Sequence, residues 1–262
     1  MGRLGARYLP TLLGVINLSP ESMVTDSIAM TLSGVFERAR HLGKQGVSIL
    51  DLGGRSITPH APQVDDFTER ARLAPAVEAL VDAGFAVSVD TWSPDTAAEA
   101  LAWGAGTINF TGGEAPDSLL RAVAQAGARL VLTYMPYGDA YRMRSCPVAP
   151  YRLEDIEAFF RPRIARARDR GVAEVVVDPN LGIIPPSVDD PTKIHLQLAV
   201  LRETERLREL GCPLLYYAAR KPERLARIMM ASAVVHARPD YIRTHEPEIL
   251  QRLLAVEHEA LL

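Results

Sequence analysis

The chain has 262 residues, 48% hydrophobic and 23% charged, with 29 Lys+Arg against 32 Asp+Glu and a formal net charge of −3. That composition excludes a disordered or fibrous chain, and so small a charge gives no general attraction to nucleic acid or an anionic membrane. Two cysteines, Cys146 and Cys212, make no disulfide framework and point to a reducing, cytoplasmic setting.

Short apolar runs alternate with helix-period stretches along the chain. A strand is expected over Leu12–Asn17, then a helix over Leu32–Leu42; a strand over Ser48–Gly54, then a helix over Phe67–Ala83. Strands over Ala86–Trp92 and Thr107–Gly112 precede a helix over Asp117–Ala126, and Leu130–Met135 precedes a helix over Leu153–Arg170. Val175–Asn180 leads to a helix over His195–Leu210, Pro213–Ala218 to one over Glu223–Val234, and Tyr241–His245 is the last strand. The strand runs are rich in Val, Ile and Leu with little polar alternation, as for parallel strands buried on both faces. Gly43, Gly84, Gly171 and Gly211 each follow a helix, where a left-handed cap fits. No apolar run reaches the ~18 residues of a membrane span, and the opening MGRLGARYLPTLLGVINLSP has no signal-peptide cleavage pattern. Eight strand–helix units of this length predict an α/β fold, a single-domain (β/α)8 TIM barrel over residues 1–262. A doubly wound open sheet is the alternative.

The strands end in residues unlike their bodies: Asn17, Asp51, Asp90, Asn109, Met135, Asp178, and Arg243 with His245. Any one of them alone reads as a turn or capping residue. Taken on successive strands, with both signs of charge, they predict a shared site at the C-terminal mouth of the barrel. The chain has only three lysines, Lys44, Lys193 and Lys221, so each is worth locating.

In order, these strand ends resemble dihydropteroate synthase. Gly14-Val-Ile-Asn-Leu-Ser-Pro20 resembles the family's G-I-L-N-V-T-P, Leu50-Asp-Leu-Gly-Gly54 its I-D-I-G-G, and Ser88-Val-Asp-Thr91 its S-I-D-T. Thr107-Ile-Asn109, Asp178-Pro179, Arg220-Lys221 and Tyr241-Ile-Arg-Thr-His245 resemble its I-I-N, D-P, R-K and R-V-H, and Ile194–Arg202 its H-N-L-E-L-L-R. Each tag alone is weak, but the ordered set covers nearly the whole chain.

The resemblance implies a transferase that condenses a 6-hydroxymethyl-7,8-dihydropterin diphosphate with p-aminobenzoate (4-aminobenzoate) or a related amine. Asp90, Asn109 and Asp178 would grip the pterin edge, Lys221 its carbonyl side, and Met135 the ring face. Asn17, Arg243 and His245 would form the diphosphate corner, with Asn17 a ligand to Mg²⁺. Asp90, Lys221, Arg243 and His245 would carry catalysis, and Lys221 and Arg243 would balance the acids. The resemblance further implies a cytoplasmic homodimer acting on small molecules in folate biosynthesis.

Departures from the family pattern cluster on the acceptor side. Ile57 and Thr58 stand where the family has Thr and Arg, within Arg55-Ser-Ile-Thr-Pro59-His60. Glu21, Met23 and Thr25-Asp26 alter the opening loop, and Asn180 through Pro185-Pro186 replaces a G-I-G-F-G-K segment. Tyr217 and Ala219 replace a glycine and a serine, and the tyrosine is placed to project into the ligand slot. Arg55, His60, Arg220, Arg142 and Arg144 offer compensating cations, although each reads first as a solvated arginine or histidine. A paralogue with another acceptor, or one that binds pterin without turnover, is the first alternative. A pterin-dependent methyltransferase is the second, and a structural scaffold the last.

Overall fold

The computed structural model describes residues 8–57, 61–182 and 188–259. Eight strands follow in chain order: β1 (Thr11–Asn17), β2 (Ile49–Gly53), β3 (Val87–Thr91), β4 (Thr107–Phe110), β5 (Arg129–Thr133), β6 (Glu174–Asp178), β7 (Leu215–Tyr217) and β8 (Tyr241–Thr244). The helices are α1 (Leu32–Lys44), α2 (Asp66–Asp82), α3 (Pro94–Ala102), α4 (Asp117–Ala126), α5 (Ala140–Met143) and α6 (Leu153–Asp169). They continue with α7 (Asp190–Arg202), α8 (Thr204–Arg208), α9 (Arg224–Ala237) and α10 (Pro247–Glu259). Every strand pair is parallel, in the order β6-β5-β4-β3-β2-β1-β8-β7. A single parallel bridge between Val177 and Leu214 brings β6 against β7 and nearly closes the barrel.

All eight expected strands are present; the helices differ in places. α7 begins at Asp190 rather than His195 because Asp189 caps it, accepting from the Thr192 amide at 2.9 Å. The expected single helix to Leu210 breaks at Glu203, where the Thr204 hydroxyl donates to the Leu201 carbonyl and meets the buried Tyr216 hydroxyl at 2.9 Å. Gly84, Gly171 and Gly211 take positive φ as expected; after α1 it is Gly46 that does so, not Gly43.

Two apolar cores result from the strand period of two. Leu13, Ile49, Val131, Val176 and Leu215 point inward and fill the bottom of the barrel. The alternate residues, such as Leu12, Leu50, Leu130 and Val175, pack outward under the helices in a much larger cluster. Among the described residues no helix is long and apolar enough to cross a membrane.

Candidate active site

The inward stack changes character on climbing each strand. Two residues above Val15 comes Asn17, above Ile49 comes Asp51, above Val131 comes Thr133, and above Val176 comes Asp178. The same step carries Ser88 to Asp90, Thr107 to Asn109, Leu215 to Tyr217 and Tyr241 to Arg243. The ladder register aligns Asp90 with Asn109, Thr133 with Asp178, and Tyr217 with Arg243. Strand periodicity therefore delivers these polar side chains to one end of one barrel. They meet in a cavity of about 640 Å³ whose lining includes Asn17, Asp90, Asn109, Asp178, Lys221, Arg243 and His245.

Its floor holds an unbalanced set of charges. Arg243 donates from Nε to Asp51 at 2.6 Å and from Nη2 to Asp90 at 2.7 Å. Asp51 is fully buried and also accepts from the Ser88 hydroxyl at 2.6 Å and Asn109 Nδ2 at 3.3 Å. Asp90 takes the Thr111 hydroxyl at 3.1 Å, and Asp178 takes the Asn180 amide at 2.7 Å. Three carboxylates thus face one guanidinium. Burial, with the neighbouring Asp51, pushes the Asp90 carboxyl up to about 6 against the pull of Arg243. Burial pushes Asp178 up to about 7, again against its hydrogen bond from Asn180 and the Arg243 charge. Beside these acids Asn109 Oδ1 and Thr133 Oγ1 are buried with no hydrogen-bond partner among the described residues.

Lys221, expected as a second countercharge to the acids, sits elsewhere on the wall. Its buried ammonium is lowered from the usual lysine range chiefly by desolvation, and the charges it feels are Asp190 and Lys193. Met135 is a clearer correction. β5 ends at Thr133, so Thr133 holds the inward place; Met135 is buried, does not line the cavity, and its carbonyl accepts from Gly138. Met143 of α5 lines the cavity instead.

The other corner is built around Asn17 and His245. Ser27 commits its proton to the Val24 carbonyl at 2.7 Å, so it accepts from Asn17 Nδ2 at 2.7 Å. Ser22 accepts from the same nitrogen at 3.1 Å. The amide orientation is fixed, and Asn17 Oδ1 is left without a hydrogen-bond partner among the described residues. His245 is held neutral, with its pKa down at about 3, by burial and by Arg243, Arg220 and Arg38 around it. Its Nδ1 is buried and unpartnered among the described residues, while its carbonyl accepts from Arg38 at 3.2 Å. Among the described residues no three His, Cys, Asp or Glu side chains group closely enough to hold a metal ion.

Tyr217 does project into the site. Its ring lies edge-on to His245, centroids 5.9 Å apart, and under the Arg243 guanidinium at 5.5 Å. Gly182 packs so closely on this ring that no Cβ could be added there without a clash. Ala219 and Ile57 also line the cavity, and Thr58, Pro59, His60, Pro185 and Pro186 lie outside the described residues. Of the arginines read as solvated, Arg142 is exposed. Arg55 is not: its side chain is 4% exposed, paired with Asp66 and Glu69 and stacked on Trp92. Arg220 pairs with Asp26 at 2.5 Å, and Arg144 donates to the Ala61 and Ser56 carbonyls. Sequence reasoning also missed Lys193 and Gln197 as lining residues. Their signal was their i, i+4 spacing, which puts both on one face of α7.

A model of the pterin-binding enzyme family matches residues 13–239. The chain belongs to that family. Dihydropteroate synthase type-1 of Escherichia coli is 30% identical over 253 residues, covering 90% of this chain and 89% of that protein. Among solved structures, dihydropteroate synthase from Thermus thermophilus in complex with 4-aminobenzoate is 29% identical with a TM-score of 0.78, covering 97% and 95% of the two chains. The same Thermus protein in complex with 6HMPPP aligns with a TM-score of 0.75 over 97% and 94%. The chain is thus a barrel of the pterin-binding enzyme family, homologous to dihydropteroate synthase, a transferase.

Proposed function

We propose that the protein condenses a 6-hydroxymethyl-7,8-dihydropterin diphosphate with an arylamine of the 4-aminobenzoate type and releases diphosphate. The charge balance at the cavity floor carries this reading: Asp51 and Asp90 share one guanidinium and Asp178 has no ion pair among the described residues, beside two unpartnered oxygens. A pterin edge places N–H donors next to a carbonyl, which is the complement such a floor lacks. Asp90, Asn109 and Asp178 take the donors, and Lys221 takes the carbonyl side. Met143 replaces Met135 as the apolar surface. The bound 4-aminobenzoate and 6HMPPP of the Thermus relative support the two substrate classes.

In this reaction the bond between the pterin methylene and the diphosphate oxygen breaks, a C–N bond to the amine forms, and the amine gives up a proton. Ionised Asp90 and Asp178 stabilise positive charge gathering on the ring as the anion departs. Arg243 keeps Nη1 free of protein partners among the described residues, and His245 is neutral, so both can donate to the diphosphate. Asn17 fits a Mg²⁺ carried on the substrate, since such an ion keeps waters and phosphate oxygens and needs few protein ligands. Bound there, Mg²⁺ would neutralise charge on the leaving diphosphate. The same family likeness supports a cytoplasmic homodimer as the working form.

Incubation of the purified protein with the pterin diphosphate, Mg²⁺ and 4-aminobenzoate tests the reading. Amine-dependent diphosphate release is expected. Tyr217 against Arg243 and His245 favours the second reading, a paralogue that binds pterin without this turnover. Retained pterin binding with no release above background would establish it instead.

A further inference from the structure

The cations that line the cavity divide into two groups. Arg55 is held by Asp66 and Glu69, Arg220 by Asp26, Arg227 by Glu246, and Arg243 by Asp51 and Asp90. Lys193 and Lys221 remain. Lys221 has no ion pair among the described residues, and the carboxylate nearest Lys193 is that of the exposed Asp190, one turn back and 4.0 Å away. Burial weakens the charged form of Lys221; Asp190 supports it and Lys193 opposes it, so the two ammonium groups share one field. Asp190, itself half-exposed, offsets the pair only in part: it meets Lys193 at the limit of ion-pair distance and leaves Lys221 without an ion pair among the described residues, so an entering anion is favoured at this wall.

Lys193 is part of a stripe. Asp190, Lys193 and Gln197 stand at i, i+3 and i+7 on α7, one face of the helix, and all three line the cavity. Gln197 is only 2% exposed; its Nε2 donates to the Leu181 carbonyl, while Oε1 is buried without a partner among the described residues. The Gln197 acceptor wants a donor and the loosely paired Lys193 ammonium wants an anion, so this face is open to a ligand that carries both. Tyr217 of β7 stands between this face and the Asn17–His245 corner. α7 follows β6, whereas Asn17 ends β1 and His245 follows β8.

We infer that Lys193 anchors a carboxylate on the amine acceptor, so that α7 is the specificity element for the second substrate. The inference rests on the transferase reading, in which Lys221 is committed to the pterin and Asn17, Arg243 and His245 to the diphosphate. Ala219, where the resemblance leads one to expect a serine, has no side-chain hydroxyl to offer that carboxylate. The ammonium of Lys193, on its four-carbon stem in the same cavity, supplies a donor.

The test compares 4-aminobenzoate with its uncharged counterpart 4-aminobenzamide in the wild type, Lys193→Ala and Lys193→Arg. Steady-state KM values are read where turnover occurs. Equilibrium titration of the protein loaded with pterin diphosphate and Mg²⁺ gives the same comparison without it. The wild type should prefer the carboxylate by roughly tenfold or more, the scale of one charge-assisted contact. Lys193→Ala should erase that preference by weakening 4-aminobenzoate alone, leaving pterin diphosphate affinity within about twofold, and Lys193→Arg should restore most of it. An undiminished preference in Lys193→Ala, or no preference in the wild type, overturns the inference. Equal loss of pterin diphosphate in Lys193→Ala also overturns it, by making the anion a phosphate. A wild type that fails to bind pterin diphosphate at all sinks the transferase reading instead.

Discussion

Asp178→Asn keeps the shape of a side chain at the cavity floor and removes its charge. The Asp178 carboxylate accepts one hydrogen bond among the described residues, from the Asn180 amide at 2.7 Å, and has no ion pair, so its other lone pairs are available to a ligand. A contact to a charged group is worth about 1.5–3 kcal/mol, so the variant should bind 6-hydroxymethylpterin about 10- to 150-fold more weakly. The pH dependence is more diagnostic. Burial raises Asp178 to about 7 and Asp90 to about 6, and it is the ionised forms that accept from the ring, so affinity falls as pH falls. By linkage, going from about pH 7.5 to about pH 6 should weaken wild-type binding about eightfold through Asp178, with about a further twofold through Asp90. Asp178→Asn should retain only the smaller factor. Calorimetric titration at the two pH values measures both. Binding that strengthens on acidification, or a variant as pH-sensitive as the wild type, would refute the assignment of Asp178 to the ligand's donor edge.

Lys221→Ala should weaken the same ligand by roughly 2–3 kcal/mol, since a charge-assisted partner is lost from a buried wall; affinity within twofold of wild type removes Lys221 from the pocket. Arg55→Ala strands the fully buried Glu69 with only the Thr91 and Thr96 hydroxyls, and should cost about 3–5 kcal/mol of stability in denaturant unfolding. A loss under about 1 kcal/mol would make that pair a surface-type contact. Gly182→Ala drives a methyl into the Tyr217 ring and should cost about 1–3 kcal/mol, largely recovered in the double variant with Tyr217→Gly. Additive losses in that cycle would show that ring and glycine do not meet.

The strands were legible because parallel strands covered on both faces read as apolar runs, and their polar ends stood out against those runs. α3 was not foreseen: it is nine residues long and alanine-rich, and its one signal was Ser93-Pro94, a cap followed by proline at the first turn. Asp90, Asn109, Asp178 and Arg243 stand at strand ends and line the cavity, whereas Met135 does not, because β5 stops two residues short of it. What the chain order could not show was pairing. Arg243 reaches acids 192 and 153 residues away, and Arg55 finds Glu69 across the β2–α2 turn, so neither partner follows from local sequence. Lys193 was flagged only as one of three lysines; its meaning came from seeing the arginines of the cavity neutralised.

The most direct measurement is a crystal structure with 6-hydroxymethyl-7,8-dihydropterin diphosphate bound. The ring's donor edge should lie within hydrogen-bond distance of Asp90, Asn109 and Asp178, with Lys221 at the carbonyl side and the diphosphate beside Asn17 and His245. A ring bound outside the barrel mouth, or one whose donor edge turns away from those two acids, would contradict the account.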